Sequence, residues 1–257
     1  MPNQIERAES FRKLHVPGDP VIIFNVWDPG SAVAVASVGA KAIATGGHGV
    51  ANAFGYDDGE KIPLQLVFEN AARITNSIEL PFSMDIDTGY GETTDDLRKT
   101  IAGVIKAGVI GINIEDKLVG TTNLRPTAEQ TSRLAVIREE AERAGLALFI
   151  NARTDLFSTT DPNEHNESTV KAALERAQAF KDAGADGLFV PILSDIKLIK
   201  ALCDQSPLPV NILWLDGSPS PRDLAAAGVA RISYGPGPYL KMIEWLKSQA
   251  QSALEMT

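Results

Sequence analysis

The chain is predicted to fold as one α/β domain, a single (β/α)8 barrel of the TIM type spanning residues 1–257 with an extra helix ahead of its first strand. Three observations carry this: eight short apolar runs, amphipathic helical patterns between them, and a glycine that ends helix after helix. The runs lie at 21–27, 42–46, 82–87, 110–115, 147–152, 187–191, 210–214 and 231–234. Most are too continuously apolar for a sheet with one wet face, which is the pattern of parallel strands buried on both sides.

Residues 4–15 read as the extra helix before strand one. Between strands three and four, Leu97, Ile101, Val104 and Ile105 fall on one helical face with polar neighbours opposite. Gly39, Gly108, Gly145, Gly184 and Gly228 each stand where a left-handed residue would stop a helix shortly before the next strand begins. Thr94, Thr127 and Ser220 are placed as N-capping hydroxyls ahead of acidic or amide residues. Residues 157–168 form the most polar loop and are expected to act as a mobile flap, and no linker divides the chain.

A net charge of -9 opposes a nucleic-acid or anionic-membrane partner, because phosphate contact needs clustered Lys and Arg. An anionic substrate must therefore meet a local cation. The single cysteine, Cys203, cannot close an internal disulfide and reads as a packing residue. The first residues show no basic segment leading into an apolar one, and no stretch reaches the ~20 apolar residues of a membrane span, so the cytoplasm is the expected compartment.

In a barrel of this kind the site is built where strands end. Strand one delivers Asp28; strand two Thr45-Gly-Gly-His-Gly49; strand three Asp85 and Asp87; strand four Glu115, Asp116 and Lys117; strand five Asn151, Arg153 and Asp155; strand seven Asn211. Residues i and i+2 of a strand share a face, so Asp85 and Asp87 are expected to converge, with Glu115 on the neighbouring strand. Oxygen ligands without a histidine pair suit Mg2+ or Mn2+ better than zinc. The alternative is a set of solvated carboxylates at strand ends. Arg153 can clamp a substrate carboxylate alongside the amides of residues 46–49, or else be spent on a salt bridge to Asp155 or Glu115. His48 is either a proton carrier or a residue presenting only its backbone. His15 and His165, in a helix end and a loop, are expected at the surface.

These residues in this order resemble the isocitrate lyase and phosphoenolpyruvate mutase superfamily over nearly the whole chain. The motifs are Asn25-Val-Trp-Asp-Pro-Gly-Ser31, Gly55-Tyr-Asp-Asp-Gly-Glu60, Asp85-Ile-Asp-Thr-Gly-Tyr-Gly91, Ile114-Glu-Asp-Lys117 and Asn151-Ala-Arg-Thr-Asp155. The resemblance implies a Mg2+-dependent barrel acting on small α-oxo acids through enolates, as a homo-oligomer, dimer or tetramer, whose C-terminal helix is exchanged between subunits. It implies metal ligation by Asp85, Asp87 and Glu115, and a role for Asp58 at a metal-bound water or the reacting group. It also implies a carboxylate clamp of Arg153 with the amides of Gly47 and His48. Gly46 stands where a serine is usual, and Lys117 and Asn211 complete the candidate site.

Two departures bear on the reaction. The lyases resembled carry a K-[KR]-C-G-H loop after strand four whose cysteine is the acid; here Leu118-Val-Gly-Thr-Thr-Asn-Leu124 has none. The phosphonate enzymes carry E-D-K-x-x-x-K-x-N-S; Asn123 matches, but Thr121 replaces the lysine and Leu124 the serine. The expected activity is therefore that of an oxo-acid lyase, oxaloacetate decarboxylase-like. Three alternatives stay open: phosphonopyruvate hydrolase or mutase-like C-P chemistry with Lys117 in place of the missing lysine; a non-catalytic α-oxo acid binding protein; and a phosphosugar barrel using Tyr234-Gly-Pro-Gly237.

Overall fold

The computed structural model describes residues 3–255. In chain order the elements are α1 (Gln4–Lys13), β1 (Val21–Ile23), α2 (Pro29–Ser37), β2 (Ile43–Ala44), α3 (Gly47–Ala53), α4 (Leu64–Ser77), β3 (Phe82–Asp85), α5 (Thr94–Lys106) and β4 (Gly111–Glu115). There follow α6 (Thr127–Arg143), β5 (Phe149–Arg153), α7 (Glu167–Asp182), β6 (Gly187–Val190), α8 (Ile196–Gln205), β7 (Val210–Leu213), α9 (Pro221–Ala226), β8 (Arg231–Ser233) and α10 (Gly237–Leu254). All eight strands pair in parallel in the order β1-β8-β7-β6-β5-β4-β3-β2. A parallel bridge between Val26 and Thr45 joins the two ends of that order, so the sheet closes as the repeat predicts.

The five helix-ending glycines all adopt positive φ, from 69° at Gly145 to 97° at Gly184. Capping follows the sequence less closely. Ser220 caps α9 as expected, but Thr93 rather than Thr94 caps α5. Thr127 is the first residue inside α6, behind Pro126, which offers no side-chain cap. Asp28 is the N-cap of α2, accepting from the Ser31 amide at 2.7 Å. That role holds it at a helix start instead of freeing it for the mouth of the barrel.

Outward residues of the strands, such as Ile112, Ile114, Ile150, Leu188, Ile212 and Ile232, are fully or almost fully buried under the helices. The inward faces are more polar than a barrel interior of branched aliphatics: Asn151 donates to Asn113 at 2.9 Å, Ser233 to Asn211 at 3.1 Å, and Arg231 Nε to Ser233 at 3.0 Å. Helix α1 stoppers the opposite end. Phe11 packs edge-on to Phe149, and His15 stacks on Phe149 with ring centroids 4.1 Å apart. His15 is thus buried, contrary to the surface position expected of it, and burial and then the Arg231 charge lower its pKa to about 3.

The polar loop after strand five carries local structure. A short 3-10 turn spans Pro162–Glu164, and the His165 ring lies edge-on to Phe157 with its Nε2 3.0 Å from the Phe157 carbonyl oxygen. Cys203 is partly buried, and burial pushes its thiol up to about 12, which suits a packing residue.

The terminating glycines fall into two kinds that mutation can separate. A methyl group added at Gly39 would meet nothing within 4 Å, whereas a Cβ at Gly108 would lie 2.6 Å from Thr75 Cγ2. Gly39→Ala is expected to cost about 1 kcal/mol from backbone strain alone, and Gly108→Ala clearly more, as read by denaturant unfolding. Equal costs would show that the contact with Thr75 relaxes freely.

Candidate active site

Strand β3 ends at Asp85, and the chain turns sharply rather than running on as a strand. Asp87 has φ 47°, in the left-handed region that Asp tolerates better than most residues. The two carboxylates therefore meet by a turn and not by the i, i+2 alternation of a strand: the Asp87 amide donates to Asp85 Oδ1 at 3.3 Å. The turn is welded to its neighbours, with the Ile86 amide donating to the Asn113 carbonyl at 3.1 Å and the Glu115 amide to the Asp87 carbonyl at 2.8 Å.

Gly47, the first residue of α3, sits against this turn. Its amide donates to Asp85 Oδ2 at 3.1 Å. A Cβ there would lie 2.7 Å from Asp87 Oδ1, 3.5 Å from Asp58 Oδ1 and 3.6 Å from Asp85 Oδ2. Three carboxylates thus converge on a point that only a glycine leaves open. Burial, then neighbouring negative charge, raises Asp87 well above the usual carboxylate range; burial also raises Asp85, against the pull of Arg153.

Glu115 ends β4 beside Arg153, its register partner at the end of β5. Arg153 Nη1 lies 2.9 Å from Glu115 Oε2, while Nη2 and Nε donate to Asp155 Oδ1 at 2.6 and 3.2 Å. The salt-bridge alternative is therefore present for both acids. It does not exhaust the guanidinium: of five N-H groups, one on Nη1 and one on Nη2 remain for a ligand. Burial works against the charge on Arg153, but Glu115 and Asp155 outweigh it and raise the pKa above its ordinary value. Lys117 Nζ stands 3.9 Å from Glu115 Oε1. Among the described residues no three or more His, Cys, Asp and Glu side chains are closed into a ligand shell. Asp85 and Asp87 converge with Asp58, and Glu115, expected beside the two, is engaged by Arg153.

The remaining candidates divide. His48, a third exposed, has Nδ1 3.7 Å from Asp58 Oδ2, so these two side chains face each other at the rim. Gly46 is the N-cap of α3. Asn211 is buried and accepts from Ser233 inside the barrel; the inward residue at the end of β7 is Leu213, two positions on. Asp116 faces away from the site, accepting from the Asp155 amide at 2.9 Å and pairing with Arg176 at 3.0 Å.

Three supporting residues had no assigned role in the sequence. Asn25 links three strand ends, donating to the Thr45 carbonyl at 3.0 Å and accepting from the amides of Tyr234 and Gly235 at 3.1 and 2.8 Å. Glu60 Oε1 accepts from the Thr88 amide, the Thr88 hydroxyl and the Tyr90 amide at 2.9, 2.7 and 3.0 Å, which fastens the segment carrying Asp58 to the β3 turn. Arg133 on α6 donates to the carbonyls of Thr88 and Gly91 at 2.6 and 3.0 Å. Asn25 and Glu60 lie in the motifs quoted above, which was their signal. Arg133 gave none, being one basic residue in a helix rich in charge.

The arrangement makes a stability prediction. Burial, with Asp155 and Asp85 adding to it against Arg153, raises Glu115 from an ordinary 4.5 to about 7. A group that holds its proton more tightly folded than unfolded favours the folded state below its unfolded pKa and loses that advantage as pH rises through the folded one. Asp85 and Asp87 act in the same sense. Protein stripped of divalent cations with EDTA should therefore lose Tm between about pH 5 and about pH 7.5, and Glu115→Gln should flatten part of the slope. A Tm that rises over this interval would contradict the burial argument.

Comparison with known proteins places this chain in a family. Residues 11–254 match the model of the phosphoenolpyruvate phosphomutase family. A crystal structure from Burkholderia cenocepacia J2315, of a protein provisionally described as a phosphonomutase, is similar with a TM-score of 0.95 and 45% identity, covering 98% of this chain and 100% of that one. An uncharacterized protein of Mycobacterium tuberculosis (strain ATCC 25618 / H37Rv) is 33% identical over 90% of this chain and 83% of its own length. An oxaloacetate decarboxylase of Chromohalobacter salexigens is 29% identical over 95% of this chain and 84% of its own. Relatives of this kind also include 2-methylisocitrate lyases.

Proposed function

Because the chain belongs to the phosphoenolpyruvate phosphomutase family, within the isocitrate lyase and phosphoenolpyruvate mutase superfamily, we propose that it is a divalent-metal-dependent lyase. Its substrate is a small α-oxo carboxylic acid, cleaved through an enolate in the manner of an oxaloacetate decarboxylase. The observation that carries this reading is the cradle at Gly47, where the oxygens of Asp58, Asp85 and Asp87 converge opposite Arg153.

The donors at that cradle are all oxygens, and burial pushes Asp85 and Asp87 above the usual carboxylate range, so the residues fit Mg2+ or Mn2+. Asp85 and Asp87 would hold the ion, with Glu115 reaching it directly or through water. When bound, such an ion polarises the oxo group and stabilises the negative charge that develops on its oxygen. The protein supplies the rest. The two free N-H groups of Arg153 would orient the substrate carboxylate, with the His48 amide in the first turn of α3 as the backbone donor, since the Gly47 amide expected in the clamp is taken by Asp85. Lys117 adds positive charge beside Glu115. His48, which faces Asp58 at the rim, would deliver a proton to C3 of the enolate once the bond to the departing group has broken.

The segment 118–124 supports decarboxylation over the alternatives. Its base is pinned by the Lys117–Leu124 bridge and by the Leu118 amide donating to the Asn123 carbonyl at 2.9 Å, and its exposed residues include neither a cysteine acid nor a lysine for a phosphoryl group. The similarity to the Burkholderia protein keeps C-P chemistry as the second reading. Phosphate release from phosphonopyruvate above background would favour it.

Purified protein with Mg2+ and oxaloacetate should form pyruvate faster than the metal alone. Asp85→Ala and Arg153→Ala should each lower kcat/KM by about 10³-fold or more, a loss of ~4 kcal/mol in transition-state stabilisation, with the fold retained by circular dichroism and a lower Tm in Arg153→Ala, which strips Glu115 and Asp155 of their cation. Wild-type rates in either variant would refute the site.

The same reading includes a homo-oligomer with exchanged C-terminal helices. Only Pro238 and Tyr239 of α10 are buried, while Leu240, Trp245 and Leu246 are exposed, and the outward side chains Ile22 and Phe24 by β1 lie open as well. An apolar helix face and an uncovered apolar strand face in one chain are complementary, and a second copy would satisfy both. Sedimentation of the wild type should give a dimer or tetramer, and Trp245→Glu should shift it toward monomer. A wild-type monomer at micromolar concentration would overturn this assembly.

A further inference from the structure

Between the Gly47 cradle and α4 lies a chamber of about 10 Å3, room for a single water molecule and nothing larger. Its polar lining is Thr45, Asn70, Asp85 and Tyr90, while Val50 and Ala71 belong to the apolar remainder. An apolar chamber of this size would stay dry, but this one offers a carboxylate, an amide and hydroxyl groups.

The polar groups have capacity left over. Asn70 Nδ2 donates to the Trp27 carbonyl at 2.8 Å, so Oδ1 is the atom that Asn70 can offer. Asp85 accepts from the amides of Gly47 and Asp87 at 3.1 and 3.3 Å, one on each oxygen. A carboxylate has about four acceptor positions, so one remains for an ion and one for the chamber. Tyr90 is brought in by its backbone. Its φ of 54° is a strained, left-handed setting for a tyrosine, and its amide is held on Glu60 Oε1 at 3.0 Å. The Tyr90 hydroxyl has no hydrogen-bond partner among the described residues. Burial, then the charges of Asp87, Glu60, Asp85 and Asp58, push the phenol above its ordinary range, so it keeps its proton and stands as a donor.

We propose that the chamber holds one ordered water, which accepts from the Tyr90 hydroxyl and donates to Asn70 Oδ1 and to the Asp85 carboxylate, and that Tyr90 is thereby a positioning residue for the divalent-ion site. The inference rests on the metal-dependent reading above and adds to it what orients one of the proposed ligands. Three partners complete the bonding of a buried water. The two amides hold Asp85 from the cradle side, and the water holds it from behind, leaving the remaining acceptor position directed at the ion. Groups that orient a metal ligand in this way contribute roughly ten- to hundredfold to affinity.

Isothermal titration of the full chain with Mn2+ tests this without any need for turnover. Wild-type protein should bind the ion. Tyr90→Phe keeps the ring and removes the hydroxyl, and should bind about tenfold or more weakly, with circular dichroism unchanged. Ala71→Val leaves Tyr90 intact but fills the chamber, and should weaken binding by a similar factor. The double variant should be no weaker than either single one, because both changes remove the same bridge. Val50→Ile serves in place of Ala71→Val should that variant not fold. Affinity within about threefold of wild type in Tyr90→Phe or in the filled chamber lies below what such a bridge contributes; it overturns the water and leaves the metal-dependent reading standing. Losses that add in the double variant overturn it too, since the two changes would then act separately. Failure of wild-type protein to bind Mn2+ overturns both.

Discussion

Crowding of negative charge at the C-terminal end of β3 is the constraint on which the rest of the site depends. Asp85 and Asp87 are drawn together by a backbone turn, Asp58 is brought over them, and Glu115 stands on the next strand. At the rim Arg153 and Lys117 oppose them, and Arg153 is shared with Asp155. Folding alone does not favour such a cluster, since each buried carboxylate without a cation costs several kcal/mol. Its persistence is the mark of a site that places binding ahead of stability.

What holds the cluster against its own repulsion is a frame of hydrogen bonds that point away from the ligand side. Glu60 spends one oxygen on three donors of the β3 loop, and Arg133 grips the same loop from below through two carbonyls. Asp116 fixes the backbone of Asp155 and pairs with Arg176, so that Asp155 is in place to hold Arg153. Asn25 ties the ends of β1, β2 and β8. Each of these carries a charge or an amide that the sequence shows as plainly as it shows Asp85, yet each acts on backbone rather than on ligand.

That difference explains what was legible beforehand. Strand number, parallel pairing, closure and the glycine stops followed from periodicity, because burial on both faces and left-handed helix ends each leave a one-residue signature. The convergence of Asp85 and Asp87 was also expected, but for a reason the chain does not use: the strand stops at Asp85, and φ of Asp87 replaces the pleat. Asp28, Asn211 and His15 went elsewhere than expected. An aspartate before Pro29 is as good a helix cap as a ligand, an asparagine two residues short of a strand end lies a layer deeper than the barrel mouth, and a histidine at the end of α1 is buried because that helix plugs the barrel. Only tertiary packing decides such cases.

The interior beneath the site shows the same preference for chemistry over packing. Arg231 is fully buried, with Nε on Ser233 and its guanidinium 5.9 Å from the Phe11 ring, and burial lowers its pKa to about 10, which still leaves it charged at neutral pH. Its terminal nitrogens have no hydrogen-bond partner among the described residues, and the charge of Asp85 favours its protonated form. A positive charge fixed inside the barrel, where aliphatic side chains would pack better, opposes the negative field of the cluster above without occupying any of its ligand positions. Arg153 meets that field at the rim and is open to substrate; Arg231 meets it from within and is not. The two arginines thus divide between them the tasks of recognising an anion and tolerating a crowd of them.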